Sequence, residues 1–204
     1  DVNFALRSFA IAASFGLASI LSVILLGDES GYTAGEVQQV KIAAIESEWE
    51  TQPAPASFTL FGWPNQAEER TDYAVKIPYA LGLIATRSLD KEVKGLKELR
   101  AEHEVKIRDG MIAYGALLRL KAGENTEEVR AIFEQHKVNL GYGLLLKKYT
   151  ANVTDASEAQ IKQAANDTIP KVAPLFWWFR IMVGLGFFFL FVCAAAFWFL
   201  STKD

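Results

Sequence analysis

Between Ser8 and Gly27 the chain reads SFAIAASFGLASILSVILLG, twenty residues without a charge. At ~1.5 Å of rise per residue a helix of that length spans ~30 Å, the thickness of a bilayer's hydrocarbon core. Small residues (Ser14, Gly16, Ser19, Ser22) recur through it, the composition that lets membrane helices approach closely. A second uncharged run, Ile181 to Thr202, extends back through Phe179, Trp178, Trp177 and Phe176 past the single Arg180. Pro174 suits the first turn of its helix, where a missing N–H costs nothing. Trp178 and Trp198 lie ~30 Å apart along such a helix, the spacing of two interfacial aromatic belts. The expectation is one transmembrane helix over residues 5–27 and another over residues 174–201.

Composition agrees with two spans joined to a polar domain: 51% of residues are hydrophobic, yet 22% are charged. The net charge of −3 and the lack of a basic block argue against a nucleic-acid partner. Cys193, alone in the chain, is read as a lipid-facing or packed thiol, because it has no partner for a disulfide and no metal-ligand spacing. The chain opens on Asp1 with neither a basic n-region nor a small-residue cleavage site, so no signal peptide is expected and the sequence is expected to be cut from a longer protein. Arg7 before the first span and Lys203 after the second place both termini in the cytoplasm by the positive-inside rule.

Residues 28–173 are far too many for an ordinary connection and should carry structure of their own. Ala34 to Glu50 reads as a helix with Val37, Val40, Ile45 and Trp49 on its apolar positions, ended by TQPAPAS. Phe58–Phe61 and Tyr73–Ile77 read as short strands about the turn-rich GWPNQ. Asp90 is expected to cap a long helix reaching about Lys121, with Gly123 as its stop. Asn125 or Thr126 caps a further helix, and Asp155 or Ser157 a last one. The fold class is mainly α: two transmembrane helices flanking a mostly helical extracytoplasmic domain with at most a short β-hairpin.

Arg180 stands out, since an ionisable side chain ~9 Å into a span needs an acidic partner, a cofactor carboxylate or water, or else snorkels to the headgroups. Met182 is either an ordinary apolar residue or a thioether available to haem iron. At i and i+2 the two point ~200° apart and cannot address one small target. Lys41 and Glu46, five apart, either share a solvated helix face or border a cleft at the membrane surface. Asp28 and Glu29 are interfacial carboxylates or contacts to the same ligand. His103 and His136 are expected at the surface of charged helices.

Six motifs then carry a resemblance. GDESGY (Gly27–Tyr32), KIAAIESEWETQPAP (Lys41–Pro55), FTLFG (Phe58–Gly62), IPYALGLIATRS (Ile77–Ser88), LGYGLLLKKYT (Leu140–Thr150) and FRIMVGLGF (Phe179–Phe187) occur in order along the whole chain. Together they resemble subunit I of cytochrome bd-type quinol oxidases, of the branch with a long quinol loop. The resemblance implies that Lys41 and Glu46 are the quinol-binding pair, with Asp28, and Glu29 beside it, near the same site. It implies that Met182 is an axial ligand of low-spin haem b and that Arg180 lies close to the haems. The implied reaction oxidises ubiquinol or menaquinol at the outer face of the bacterial cytoplasmic membrane. Electrons then pass through low-spin haem b to a high-spin haem b and haem d, where oxygen becomes water, and a proton gradient is built without pumping. Quinol oxidation also releases two protons, so an ionisable acceptor near the site is chemically expected. Family members have about nine spans, so this segment is expected to be inactive without the rest of subunit I, subunit II, small accessory subunits and membrane lipid. Architecture alone leaves two other readings: a two-span sensor or receptor with an extracytoplasmic ligand-binding domain, and an anchor without a ligand.

Overall fold

The computed structural model describes residues 2–88 and 90–202, so Lys203, one of the two basic residues behind the expected orientation, lies outside the described residues. The first apolar run forms helix α1, Val2–Val37, and the last forms helix α7, Val172–Thr202, of 36 and 31 residues. Both are long and apolar enough to cross a membrane. They pack against each other at a small-residue contact, where a Cβ added to Gly16 would lie 3.0 Å from Cys193 Sγ. Nearly all their other apolar side chains face outward, as lipid- or partner-facing helices require. Pro174 does fall in the first turn of α7, and Trp178 and Trp198 are both exposed.

Helix α1 does not stop at Gly27 but runs straight on through Asp28, Glu29 and Tyr32. The expected Ala34–Glu50 helix is instead cut in two. The backbone breaks at Gln38 (φ −132°, ψ 53°), helix α2 covers Gln39–Glu46, and Ser47 takes the left-handed conformation at φ 55°. Ser47 can hold it because its neighbours bind the turn: Thr71 Oγ1 donates to the Ser47 carbonyl at 2.9 Å and accepts from the Ser47 hydroxyl and from Trp49 Nε1. Glu46, Ser47, Glu48 and Trp49 are thereby buried.

Strands β1 (Phe58–Asn65) and β2 (Arg70–Ile77) form an antiparallel hairpin, longer than expected, with register shifts on either side of Phe61. GWPN lies within β1, and the turn falls at 66–69. The hairpin lies against α7 through Trp177, whose ring meets those of Phe61 and Trp63 edge-on at 5.3 and 5.9 Å. A single π-helical turn, Gly82–Thr86, follows.

Helix α3 starts at Leu96, not Asp90, and runs to Lys121. Its first free N–H groups are met by distant carbonyls: Leu96 donates to Glu48 at 2.9 Å and Lys97 to Trp49 at 3.1 Å. That approach requires a glycine before the helix, since a Cβ on Gly95 would lie 2.3 Å from the Glu50 carbonyl carbon. The remaining helices are α4 (Glu127–His136), α5 (Leu140–Leu144) and α6 (Glu158–Asn166). Thr126 caps α4 and Ser157 caps α6 in a full capping box, and Gly123 (φ +92°) follows α3. One core joins α2, α3 and α7 through Ala43, Ala44, Trp49, Leu96, Leu99 and Val172; another joins α3 to α6 through Ile107, Leu146, Val153 and Ile161.

Candidate functional site

Helix α2 has only eight residues, and its two ends face different surroundings. Near its start Lys41 is exposed on the wall of a cavity of about 730 Å³, shared with Glu36, Lys94, His103, Tyr142 and Leu175. At its end Glu46 is 4% exposed and turned toward α7. The structure therefore does not bring Lys41 and Glu46 together on one cleft.

Glu46 is joined to Arg180 instead, Nη2 donating to its Oε2 at 3.0 Å. The guanidinium also donates to the carbonyls of Ile45 (2.8 Å), Phe176 (3.1 Å), Thr59 (3.0 Å) and Leu60 (3.1 Å). It lies over the Phe176 ring, 3.4 Å from its centre. Arg180 therefore does not snorkel. It fastens the end of α2, the start of β1 and the first turns of α7 into one unit, and its planar fork suits that many acceptors. Burial pushes the Glu46 carboxyl up to about 7, against the pull of Arg180. Glu48, buried beside it, accepts from Thr59 Oγ1 at 3.3 Å and Lys76 Nζ at 3.4 Å.

Asp28 and Glu29 occupy a third place. Both accept from Arg87, at 2.7 and 2.8 Å, and Arg87 covers the Tyr32 ring at 4.5 Å. Met182 occupies a fourth, 61% exposed on α7. Leu175, on the cavity wall, precedes it by seven residues, so the two share a face of α7 ~10 Å apart. A thioether on an outward face fits a single axial position on haem iron. Among the described residues no group of three or more His, Cys, Asp or Glu could hold a metal ion.

His103 corrects the sequence expectation, being only 8% exposed. His136, half-buried, contacts Asp109. The sequence reading also passed over Glu48, Thr59, Thr71 and Arg87. Only the run ESEW gave a local hint, since alternating acids around Ser and Trp do not continue a solvated helix face.

These features define a membrane protein whose polar domain is held on its spanning helix by a buried ion pair at one end of α2, with a cavity at the other. The chain belongs to the cytochrome bd terminal oxidase subunit I family, whose description matches residues 1–203. It is 45% identical over 194 residues to cytochrome bd-II ubiquinol oxidase subunit 1 of Escherichia coli (strain K12), covering 95% of this chain and 38% of that protein. It is 32% identical over 146 residues to cytochrome bd ubiquinol oxidase subunit 1 of Bacillus subtilis (strain 168), covering 72% and 28%. A putative cytochrome bd menaquinol oxidase subunit I of B. subtilis (strain 168) matches at 32% over 90 residues, or 44% and 20%. The chain thus spans well under half the length of the curated relatives it matches.

Proposed function

We propose that this chain is the quinol-handling segment of a cytochrome bd oxidase, acting within the complete subunit I and with subunit II and small accessory subunits. It lies in the bacterial cytoplasmic (inner) membrane with residues 28–173 as the extracytoplasmic quinol domain between spans 5–27 and 174–201, and is inactive alone. The complete enzyme transfers electrons from ubiquinol or menaquinol to oxygen and builds a proton gradient without pumping. The carrying observation is the cavity that Lys41 borders, on the same face of α7 as Met182.

In this reading Lys41 donates a hydrogen bond to the quinol headgroup. Glu46, with a carboxyl near neutral pH, is placed to take up and release protons. Its bond to Arg180 holds α2, and with it Lys41, at a fixed position on α7. Arg180 acts here as a positioning residue near the haems. Asp28 and Glu29, held by Arg87 and on the same helix as the cavity-lining Glu36, contribute negative charge on the quinol side of α1. Met182 would hold low-spin haem b from one side; haem b and haem d, when bound, supply the one-electron chemistry that links quinol to oxygen.

The test uses full-length subunit I with its partner. Lys41→Ala is expected to raise the quinol KM about tenfold or more with intact haem spectra, the loss of one charge-assisted hydrogen bond. Glu46→Gln is expected to lower kcat. Unchanged kinetics in both variants would place the quinol elsewhere. Met182→Leu is expected to convert one low-spin haem signal to high spin, and an unaltered spectrum removes Met182 as ligand.

A further inference from the structure

His103 lies on α3 on the wall of the cavity that Lys41 also lines, and its hydrogen bonds fix which ring nitrogen carries the proton. The Thr168 hydroxyl donates its only hydrogen to the Ala165 carbonyl at 2.6 Å. His103 Nδ1 lies 2.7 Å from the same oxygen. Thr168 must therefore accept there, and His103 Nδ1 must donate. In the neutral ring this leaves Nε2 as the acceptor. It points toward Tyr142, whose hydroxyl is 3.5 Å away, too long for a strong bond, and both residues line the cavity with Lys41.

We infer that His103 Nε2 is the proton acceptor for a hydroxyl of the phenolic headgroup bound in this cavity, a role that rests on the quinol reading of Lys41. The step is an acid–base one. The ligand's O–H bond breaks, its electron pair stays on oxygen, and an N–H bond forms at Nε2 to give imidazolium. Thr168 continues to accept from Nδ1–H throughout, so the ring does not reorient. Lys41, across the same cavity, stabilises the oxyanion that forms, and the proton leaves through the open side of the cavity.

The groups facing His103 set its titration. On its own helix these are Lys106 and Glu102, the latter bound to Lys94; Tyr142 comes from α5, Lys41 from α2 and Glu36 from α1. Burial, then the Lys106 charge, lowers the His103 pKa below its ordinary value, with Glu102 opposing. The ring is therefore neutral and able to accept a proton at neutral pH.

The experiment measures quinol:oxygen turnover against pH in the complete oxidase. His103→Asn keeps a side-chain N–H at the Nδ1 position for Thr168 and removes the base. His103→Gln places an amide at the Nε2 position, able to bind a hydroxyl but not to take its proton. Both are expected to lower kcat about tenfold or more with normal haem spectra, and Gln to leave KM near its original value. Both are expected to abolish the acid limb of the kcat/KM profile below about pH 6.5, the ordinary histidine range. Glu46→Gln, which removes the other group titrating near that range, is expected to keep that limb. A structural role alone would leave the limb in place in any His103 variant that assembles. Full activity with the limb retained in either variant overturns the inference. Lys41→Ala, run in parallel, separates the two readings: weakened quinol use there with unaltered His103 variants sinks only this inference, whereas no change in any of the three sinks both.

Discussion

A carboxylate and a guanidinium, 6% and 10% exposed, face each other where α2 meets α7. Removing one member of such a pair leaves its partner buried without compensation, at a cost of about 3–5 kcal/mol. Arg180→Gln is therefore expected to lower the thermal midpoint of the purified complex sharply, whereas Arg7→Gln, an exposed residue, leaves it unmoved. The pair also has a pH signature. The folded carboxyl of Glu46 titrates near 7, above its unfolded value of 4.5, so between those values the folded chain holds more protons. Its protonated form thus adds stability that is fully present below pH 4.5 and is lost as pH rises through about 7. The span corresponds to something on the order of 3 kcal/mol. Glu46→Gln should flatten that part of the stability–pH curve, and a curve identical to the original would exclude Glu46 as its source. The sequence announced Arg180, because a lone charge beside an uncharged run demands a partner. It did not announce Glu46 as that partner, since 134 residues separate them and only the fold brings them together.

Elements were legible where their signals were local. Thr126 and Ser157 sit at N-caps because each hydroxyl bonds a backbone N–H three residues on, a relation written in the sequence itself. Helix α3 was misplaced at its start because its cap is not local: carbonyls of Glu48 and Trp49 take the place of a side chain. Gly95 makes that approach possible. Gly95→Ala would push a methyl into the Glu50 backbone and is expected to cost about 1–3 kcal/mol or more. The expected readout is faster hydrogen exchange at the Leu96 and Lys97 amides; unaltered exchange there would show that α3 is capped some other way. Ser157→Ala should cost about 1 kcal/mol, seen as a small drop in melting temperature. The end of α2 at Ser47 was not legible for the same reason as the start of α3, since its left-handed turn is held by Thr71 on another element.

For the whole molecule, the mainly helical architecture with two spans and a hairpin was written in hydrophobic run length and turn residues. The grouping of the site was not. Asp28 and Glu29, Lys41, Glu46 with Arg180, and Met182 occupy four separate places. Arg87 ties the part of α1 beyond its apolar run to the turn after the hairpin through pairs that are 42–65% exposed. Such exposed pairs contribute little and are screened by salt. Arg87→Ala is accordingly expected to speed amide exchange over residues 28–37 at low salt and to do so much less at high salt. Equal effects at both would point to packing on Tyr32 as the main restraint. Because α1 continues unbroken from the apolar run to Glu36 on the cavity wall, the membrane and the cavity are in fixed rotational phase. One residue inserted between Glu29 and Glu36 turns that wall by ~100° and raises it by ~1.5 Å, while seven restore the phase but displace it by ~10 Å. The length of α1 between bilayer and cavity therefore works as a tooth count. Change it by one and the wall faces the wrong way; change it by seven and the wall faces correctly at the wrong height.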